Sequence, residues 1–350
     1  MSRKVPAYGA RAPQAPLAPM AIERRDLEPR DVDIEILYCG ICHSDVHKVR
    51  NDWGNTHFPV VPGHEIVGRV ASRGARVTGF HEGDLVGVGC IVNSCRACPE
   101  CRAGHEMFCR EGVTFSFDSF DKKREEWTAG GYSTSIVVDE RYVLRIPKRL
   151  DPARAAPLMC AGITTYSPLR RFACKPGDEV AVVGLGGLGH LAVKLAASMG
   201  AHVTVLSTSR AKEQDARRLG AKRFVAAREP GALDAEAGRF DLIVDTVSGP
   251  HDLDRQANLL RSFGTMVLVG LPPSGAPVDV SGLVHGNKGV AGSNIGGISE
   301  TQEMLNHCGK NGIMADVEII RAGQINAAYQ RIDQGDVHYR FVIDAATFRS

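Results

Sequence analysis

The chain has 350 residues, 43% of them hydrophobic, and a formal net charge of +2. That length suggests two domains, each able to bury a core, while the balanced charge points away from nucleic acid or an anionic membrane as partner. No apolar run is long enough to read as a transmembrane helix. At the start, Met1 to Met20 is rich in Pro and Ala and lacks the apolar segment of a secretory signal. Ten cysteines, several in Cys-x-x-Cys spacing and without a signal peptide, read as reduced metal ligands rather than disulfides. A cytoplasmic enzyme is therefore expected.

Asp31 to Tyr38 alternates polar and apolar residues and reads as a half-buried strand. Directly after it comes Cys39-Gly-Ile-Cys42-His-Ser44-Asp45-Val-His47. Asn51 to Pro62 is a loop that carries Trp53. His64 to Val70 and Gly83 to Gly89 read as short strands, and the many glycines between them suggest a partly open β-barrel. The run Cys95-Arg-Ala-Cys98-Pro-Glu-Cys101, followed by Cys109, is the strongest local signal. Four thiolates so closely spaced form a tetrahedral, closed set suited to a structural zinc. A charged insert follows at Phe115 to Trp127. Gly130 to Leu144 then reads as strands, and Pro147 to Pro157 as a connector. Cys160 opens a helix whose first turn could set Thr164 beside a bound cofactor.

Cys42, His64 and Cys160 together offer two thiolates and one imidazole. Such a set leaves a fourth tetrahedral position for water or substrate, as a catalytic zinc requires. No local spacing forces these three to meet, and each alone reads as an ordinary buried Cys or a satisfied His. Their neighbours strengthen the case. Asp45 could accept the second ring N–H of His64 and fix its tautomer. Ser44 and His47 could carry a proton from a bound alcohol to water.

Glu179 to Val183 is a short apolar strand that runs into Gly184-Leu-Gly186-Gly187-Leu188-Gly189 and then a helix. A Gly-x-Gly-x-x-Gly in that context, with a second strand at His202 to Leu206, reads as a dinucleotide-binding turn. Strands expected at Arg223 to Ala226, Phe240 to Asp245 and Thr265 to Val269 alternate with helices at Ala211 to Leu219 and Leu253 to Ser262, which implies a doubly wound parallel sheet. After the second strand stands Ser207-Thr208-Ser209-Arg210-Ala-Lys212. No carboxylate is present to bind a ribose 2′-hydroxyl; hydroxyls and two cations favour a 2′-phosphate, and hence NADP(H).

In combination, these motifs resemble zinc-dependent medium-chain alcohol dehydrogenases, and most of all their cinnamyl-alcohol-dehydrogenase-like, NADP-dependent aldehyde reductase branch. The residues that carry the likeness are Gly40 to Asp45, Pro62 to Gly68, the four-Cys lobe, Cys160 to Thr164, the glycine turn and Ser207 to Ser209. The resemblance implies an α/β protein with a GroES-like catalytic domain (1–158 and 299–350) and a Rossmann cofactor domain (159–298). It implies two zinc ions per subunit, with Glu65 able to join Cys42, His64 and Cys160, and hydride transfer between NADP(H) and a primary alcohol/aldehyde pair. It also implies cofactor contacts from Thr164, the glycine turn, Ser207 to Lys212, Val269-Gly270-Leu271, Ser293-Asn294-Ile295 and Arg340. Trp53, Cys90, Phe115 and Ile295 are the expected substrate-pocket residues, and a homodimer is expected through Val290 to Ile298. Two competing readings are a zinc-free quinone or enone reductase of the same architecture and a zinc-stabilised binding module. Both metal sets oppose the first, and mixed charges around the lobe oppose the second.

Overall fold

Two large sheets, of seven and six strands, and three two-stranded hairpins or ribbons form in the computed structural model, which describes residues 3–271 and 277–349. The chain divides into two compact units. One comprises the chain through Cys160 together with the chain from Gly296, and the other comprises Ala161–Ile295.

The first unit opens with a hairpin of β1 (Arg3–Gly9) and β2 (Ala18–Arg24). The half-buried strand expected after it is β3 (Asp31–Gly40), which leads into helix α1 (His43–Arg50). β4 (Ile66–Arg73) and β5 (Leu85–Val88) continue antiparallel from β3. Three short pieces, β6 (Ile91–Asn93), β7 (Thr114–Phe115) and the hairpin of β8 (Phe120–Asp121) with β9 (Glu126–Trp127), frame the cysteine lobe and the charged insert. β10 (Ser135–Asp139) pairs with one half of β3, and β11 (Leu144–Arg145) pairs with β5. The core of this seven-stranded sheet is β-branched and aromatic: Val32, Ile34, Ile66, Val67, Val86 and Val88 are fully buried, and Phe341 is 1% exposed. Such side chains suit a pleated, half-buried surface.

The second unit begins with the helix Ala161–Arg171. Its sheet is wholly parallel: β12 (Glu179–Val183), β13 (His202–Ser207), β14 (Arg223–Ala226), β15 (Phe240–Asp245), β16 (Leu260–Leu268) and β17 (Gly289–Gly292). Its strand order is β14-β13-β12-β15-β16-β17, the doubly wound arrangement whose crevice lies at the carboxyl ends of the strands. Ala181, Leu206, Phe240, Ile243, Leu260 and Met266 form one apolar cluster, each large side chain contributing about 1.5–3 kcal/mol by leaving water.

One expected element differs. The helix anticipated from Leu253 to Ser262 ends at Ala257, and the chain is already strand at Leu260. Asp252 caps the short helix by accepting from Arg255 N at 2.9 Å. Leu259 and Leu260 then enter the core, and Leu260 pairs with Phe240. Tertiary burial overrides the helical spacing there. The connector before Cys160 also contains a helical turn, Pro152–Ala155, with Asp151 as its N-cap.

After the second unit the chain returns to the first. The helix Ile298–Asn311 precedes β18 (Val317–Ile320), and the helix Ile325–Asp333 precedes β19 (Arg340–Asp344). β19 lies between β18 and β3, pairing Val342 with Gly40 and Ile343 with Cys39.

Candidate active site

Cys42 sits where β3 gives way to α1. Asp45, in the first turn of α1, accepts the Cys42 backbone N–H at 2.8 Å, which is half of a reciprocal helix cap. The same carboxylate accepts Gly63 N at 3.0 Å and His64 Nδ1 at 3.0 Å, and the Tyr132 hydroxyl at 3.4 Å. Gly63 has φ of +109°, and a side chain there would meet the Tyr132 ring at 2.7 Å. Glycine therefore lets the chain turn His64 inward. With Nδ1 occupied by Asp45, His64 directs Nε2 away from that carboxylate.

The ligand atoms of Cys42, His64, Glu65 and Cys160 all lie within 4.8 Å of one another. His64, Glu65 and Cys160 are buried. Two sulfurs, an imidazole nitrogen and a carboxylate oxygen suit zinc. Glu65 Oε2 is buried with no hydrogen-bond partner, while its other oxygen accepts from Arg340. A buried polar atom left unpaired is costly, so this oxygen fits a site that takes a cation. Burial raises Glu65 to about 7 against the pull of Arg340. The proximity of the two sulfurs pushes Cys42 well below the ordinary thiol range and Cys160 well above it. Burial alone would lower His64, but Asp45 raises it well above the ordinary range.

The second set, Cys95, Cys98, Cys101 and Cys109, likewise has its sulfurs within 4.8 Å of one another. Backbone amides stand behind them: Cys95 N lies 3.3 Å from Cys109 Sγ, and Cys98 N lies 3.3 Å from Cys95 Sγ. Four thiolates with no open position fit a structural zinc.

Ser44 Oγ lies 3.8 Å from Cys42 Sγ. His47, three residues further along α1, bonds through Nδ1 to Asp52 at 2.7 Å, and its ring lies 5.3 Å from that of Trp53. Of the pocket candidates, Trp53 is 44% exposed beside His47. Cys90 is half-buried and close enough to Cys160 to help push that thiol upward, and Ile295 is half-buried beyond β17. Phe115 is 39% exposed in β7. Two residues later, Phe117 stacks on His64 at 5.6 Å and 17°. Tyr132, Tyr329 and Arg340 also reach the site. Tyr329 bonds to the Tyr132 hydroxyl at 3.3 Å, and no local motif announces either tyrosine.

In the second unit the glycine turn joins β12 to the helix Gly189–Ser198. Gly184 has φ of +84°, a Cβ on Gly189 would meet Gly184 O at 2.0 Å, and one on Gly186 would meet nothing within 4 Å. The last is open backbone where a pyrophosphate can approach, at a helix start that favours anions. Gly187 and Leu188 complete this turn. Ser207 ends β13, and Thr208 and Ser209 follow it without a carboxylate. Lys212 Nζ donates to Leu185 O of the turn at 2.9 Å. Val269, Gly270 and Leu271 follow β16, and Ser293, Asn294 and Ile295 follow β17, so these groups all leave strand ends of one edge. Thr164 is buried in the unit's first helix. Two expected cofactor residues are otherwise engaged. Arg210 makes a forked pair with Glu229 at 2.6 and 2.7 Å. Arg340 lies in the first unit, buried against Glu65.

A doubly wound unit with this turn, joined in one chain to a GroES-like unit bearing an open and a closed sulfur set, defines the class of zinc-binding, dinucleotide-linked dehydrogenases. The alcohol dehydrogenase GroES-like domain family matches residues 28–148, and the zinc-binding dehydrogenase family matches residues 187–310. The chain is 52% identical to the aldehyde reductase YahK of Escherichia coli over 98% of this chain and 99% of that one. It is 51% identical to an NADP-dependent alcohol dehydrogenase C of Mycobacterium bovis, over 97% and 98%. Among solved structures it resembles a cinnamyl alcohol dehydrogenase from Sorghum bicolor, with a TM-score of 0.95, 41% identity and 98% of each chain covered. It also resembles CAD from Helicobacter pylori complexed with NADP(H), with a TM-score of 0.93, 40% identity and 99% of each chain covered. The chain belongs to the zinc-dependent medium-chain alcohol dehydrogenase family, and to its cinnamyl-alcohol-dehydrogenase-like branch.

Proposed function

We propose that this chain is a zinc-dependent oxidoreductase that moves hydride between NADP(H) and a primary alcohol/aldehyde pair, in the direction of aldehyde reduction. The observation that carries the reading is the convergence of Cys42, His64, Glu65 and Cys160 within 4.8 Å. When bound, zinc supplies Lewis-acid polarisation of the substrate oxygen, and NADP(H) supplies or accepts the hydride.

The chain's own residues do the rest. Cys42, His64 and Cys160 hold the metal, and Glu65 stands ready as a further oxygen donor. Asp45 keeps the Nδ1 proton on His64, which leaves Nε2 as a ligand. Ser44 passes a proton between the substrate oxygen and His47, and His47, oriented by Asp52, exchanges it with water. The four thiols from Cys95 to Cys109 hold a second zinc that pins their lobe. The unit Ala161–Ile295 binds NADP(H), with Ser207 to Ser209 and Lys212 taking the 2′-phosphate. Phe117, Trp53 and Cys90 form the substrate-side wall in the first unit.

We further infer a homodimer formed through β17, one of the two edge strands of its sheet, because an open strand edge suits two-fold pairing. All ten cysteines are free thiols, which fits a reducing cytoplasm. No helix among the described residues is long and apolar enough to cross a membrane.

Metal analysis of the purified protein together with aldehyde reduction assayed on NADPH and NADH tests the reading. Two zinc equivalents and a preference for NADPH are expected. A metal-free yet fully active enzyme would instead support the quinone or enone reductase reading.

A further inference from the structure

The charged insert Phe115–Trp127 contributes an acid with an enclosed carboxylate, Asp118. Its side chain is 0% exposed, and its Oδ2 receives Lys48 Nζ of α1 at 2.6 Å. Its Oδ1 accepts the backbone N–H of His57 at 2.9 Å. Lys48 Nζ also donates to Asn55 Oδ1 at 3.0 Å and stands 5.9 Å from the Trp53 ring. One ion pair therefore touches the loop after α1 at three places. That loop carries two groups that contact the next residue back from Lys48: Asp52 on His47 Nδ1 and Trp53 against the His47 ring. On the insert side, His57 stacks on Trp127 at 4.2 Å and 6°. Asp118 N donates to Thr128 O, and Thr128 N to Ser119 O, so the β8–β9 hairpin holds the acid in place.

We propose that Lys48 and Asp118 are positioning residues for the His47 proton relay, and that the insert's role is to supply the buried anchor that keeps Asp52 and Trp53 on the His47 ring. This rests on the reading of His47 as the relay's outer member. A surface pair between mobile side chains contributes little. Here the carboxylate is enclosed and Lys48 is 17% exposed, so removing the lysine alone would strand a charge. The double variant Lys48→Met with Asp118→Asn removes both charges together, and Asn accommodates the φ of +48° found at position 118.

The chain has only two tryptophans, both at this junction. With Trp127→Phe as background, emission therefore reports on Trp53 alone. In the double variant, Trp53 should become more open to acrylamide quenching, and kcat should fall about tenfold. Lys48→Arg should restore both readouts relative to Lys48→Met. Added to His47→Gln, the double variant should lower kcat no further, since groups acting through one residue are non-additive. Unchanged quenching, or a full additional loss of kcat in the His47→Gln background, would overturn the proposal. A His47→Gln enzyme with wild-type kcat would overturn the relay reading itself, a different result from an active relay that ignores Lys48. Thermal melting of each variant separates these outcomes from unfolding.

Discussion

The first unit holds two sets of metal-binding side chains built in opposite ways. Cys95, Cys98, Cys101 and Cys109 come from one short stretch of chain. Their backbone amides face their own sulfurs, and no carboxylate joins the set. Cys42, the adjacent pair His64 and Glu65, and Cys160 come from three places, and the middle pair depends on partners elsewhere: Asp45 and Phe117 against the imidazole, Arg340 behind Glu65. A local set is closed and can do little beyond holding its lobe together. A dispersed set can leave a coordination position free, because the fold rather than the ligands supplies its rigidity.

Several measurements would break or sharpen this contrast. Cys42→Ser should remove one zinc equivalent and leave the other. Turnover should fall by about 10³-fold or more, since a lost Lewis acid withdraws several kcal/mol of transition-state stabilisation. Retention of both metals and near-normal kcat would undo the assignment. Cys98→Ser should do the reverse: the dispersed site keeps its metal, while the protein loses roughly 4 kcal/mol of stability. Calorimetry paired with metal analysis reads this, and limited proteolysis should cut between Cys95 and Gly112. Asp45→Asn should leave the four-Cys metal untouched and weaken the other by about 10–100-fold, through the lost anchor on His64. A chelator titration that found both metals equally tight would contradict that dependence.

The smallest effect concerns a clamp on α1. Arg50 Nη1 donates to Asp333 Oδ1 at 3.0 Å and holds that carboxyl below its ordinary range. A depressed folded-state value means the contribution is present above the unfolded value, near pH 4, and is lost as pH falls through the lower folded value. Both side chains are about 40% exposed, so the pair should contribute less than about 1 kcal/mol. Asp333→Asn should lower the melting temperature slightly at pH 7 and not at pH 2.

How far these features were legible in the sequence follows from the same contrast. The four-Cys lobe was legible because its members are neighbours along the chain. The doubly wound sheet was legible because a glycine turn between strand and helix leaves few other topologies. Asp45 could be placed beside His64 because it follows Cys42 by one helical turn. Phe117, Tyr132, Tyr329 and the Arg340–Glu65 contact were not legible in this way. Each is an ordinary residue that gains its role from a strand or helix far off in sequence. The helix expected through Ser262 failed for a related reason: its spacing was helical, but Leu259 and Leu260 were claimed by a core that the local window does not contain.

The interposition of β19 between β18 and β3 has a consequence for biosynthesis. Ile41 N donates to Phe341 O at 2.9 Å, and Gly40 pairs with Val342. Until residues 340–344 leave the ribosome, the end of β3 nearest Cys42 has a bare edge and Glu65 has no guanidinium. The nascent chain must therefore carry a half-made metal corner past the translation of an entire intervening unit. In that interval an exposed strand is open to mispairing, and chaperone protection would matter most.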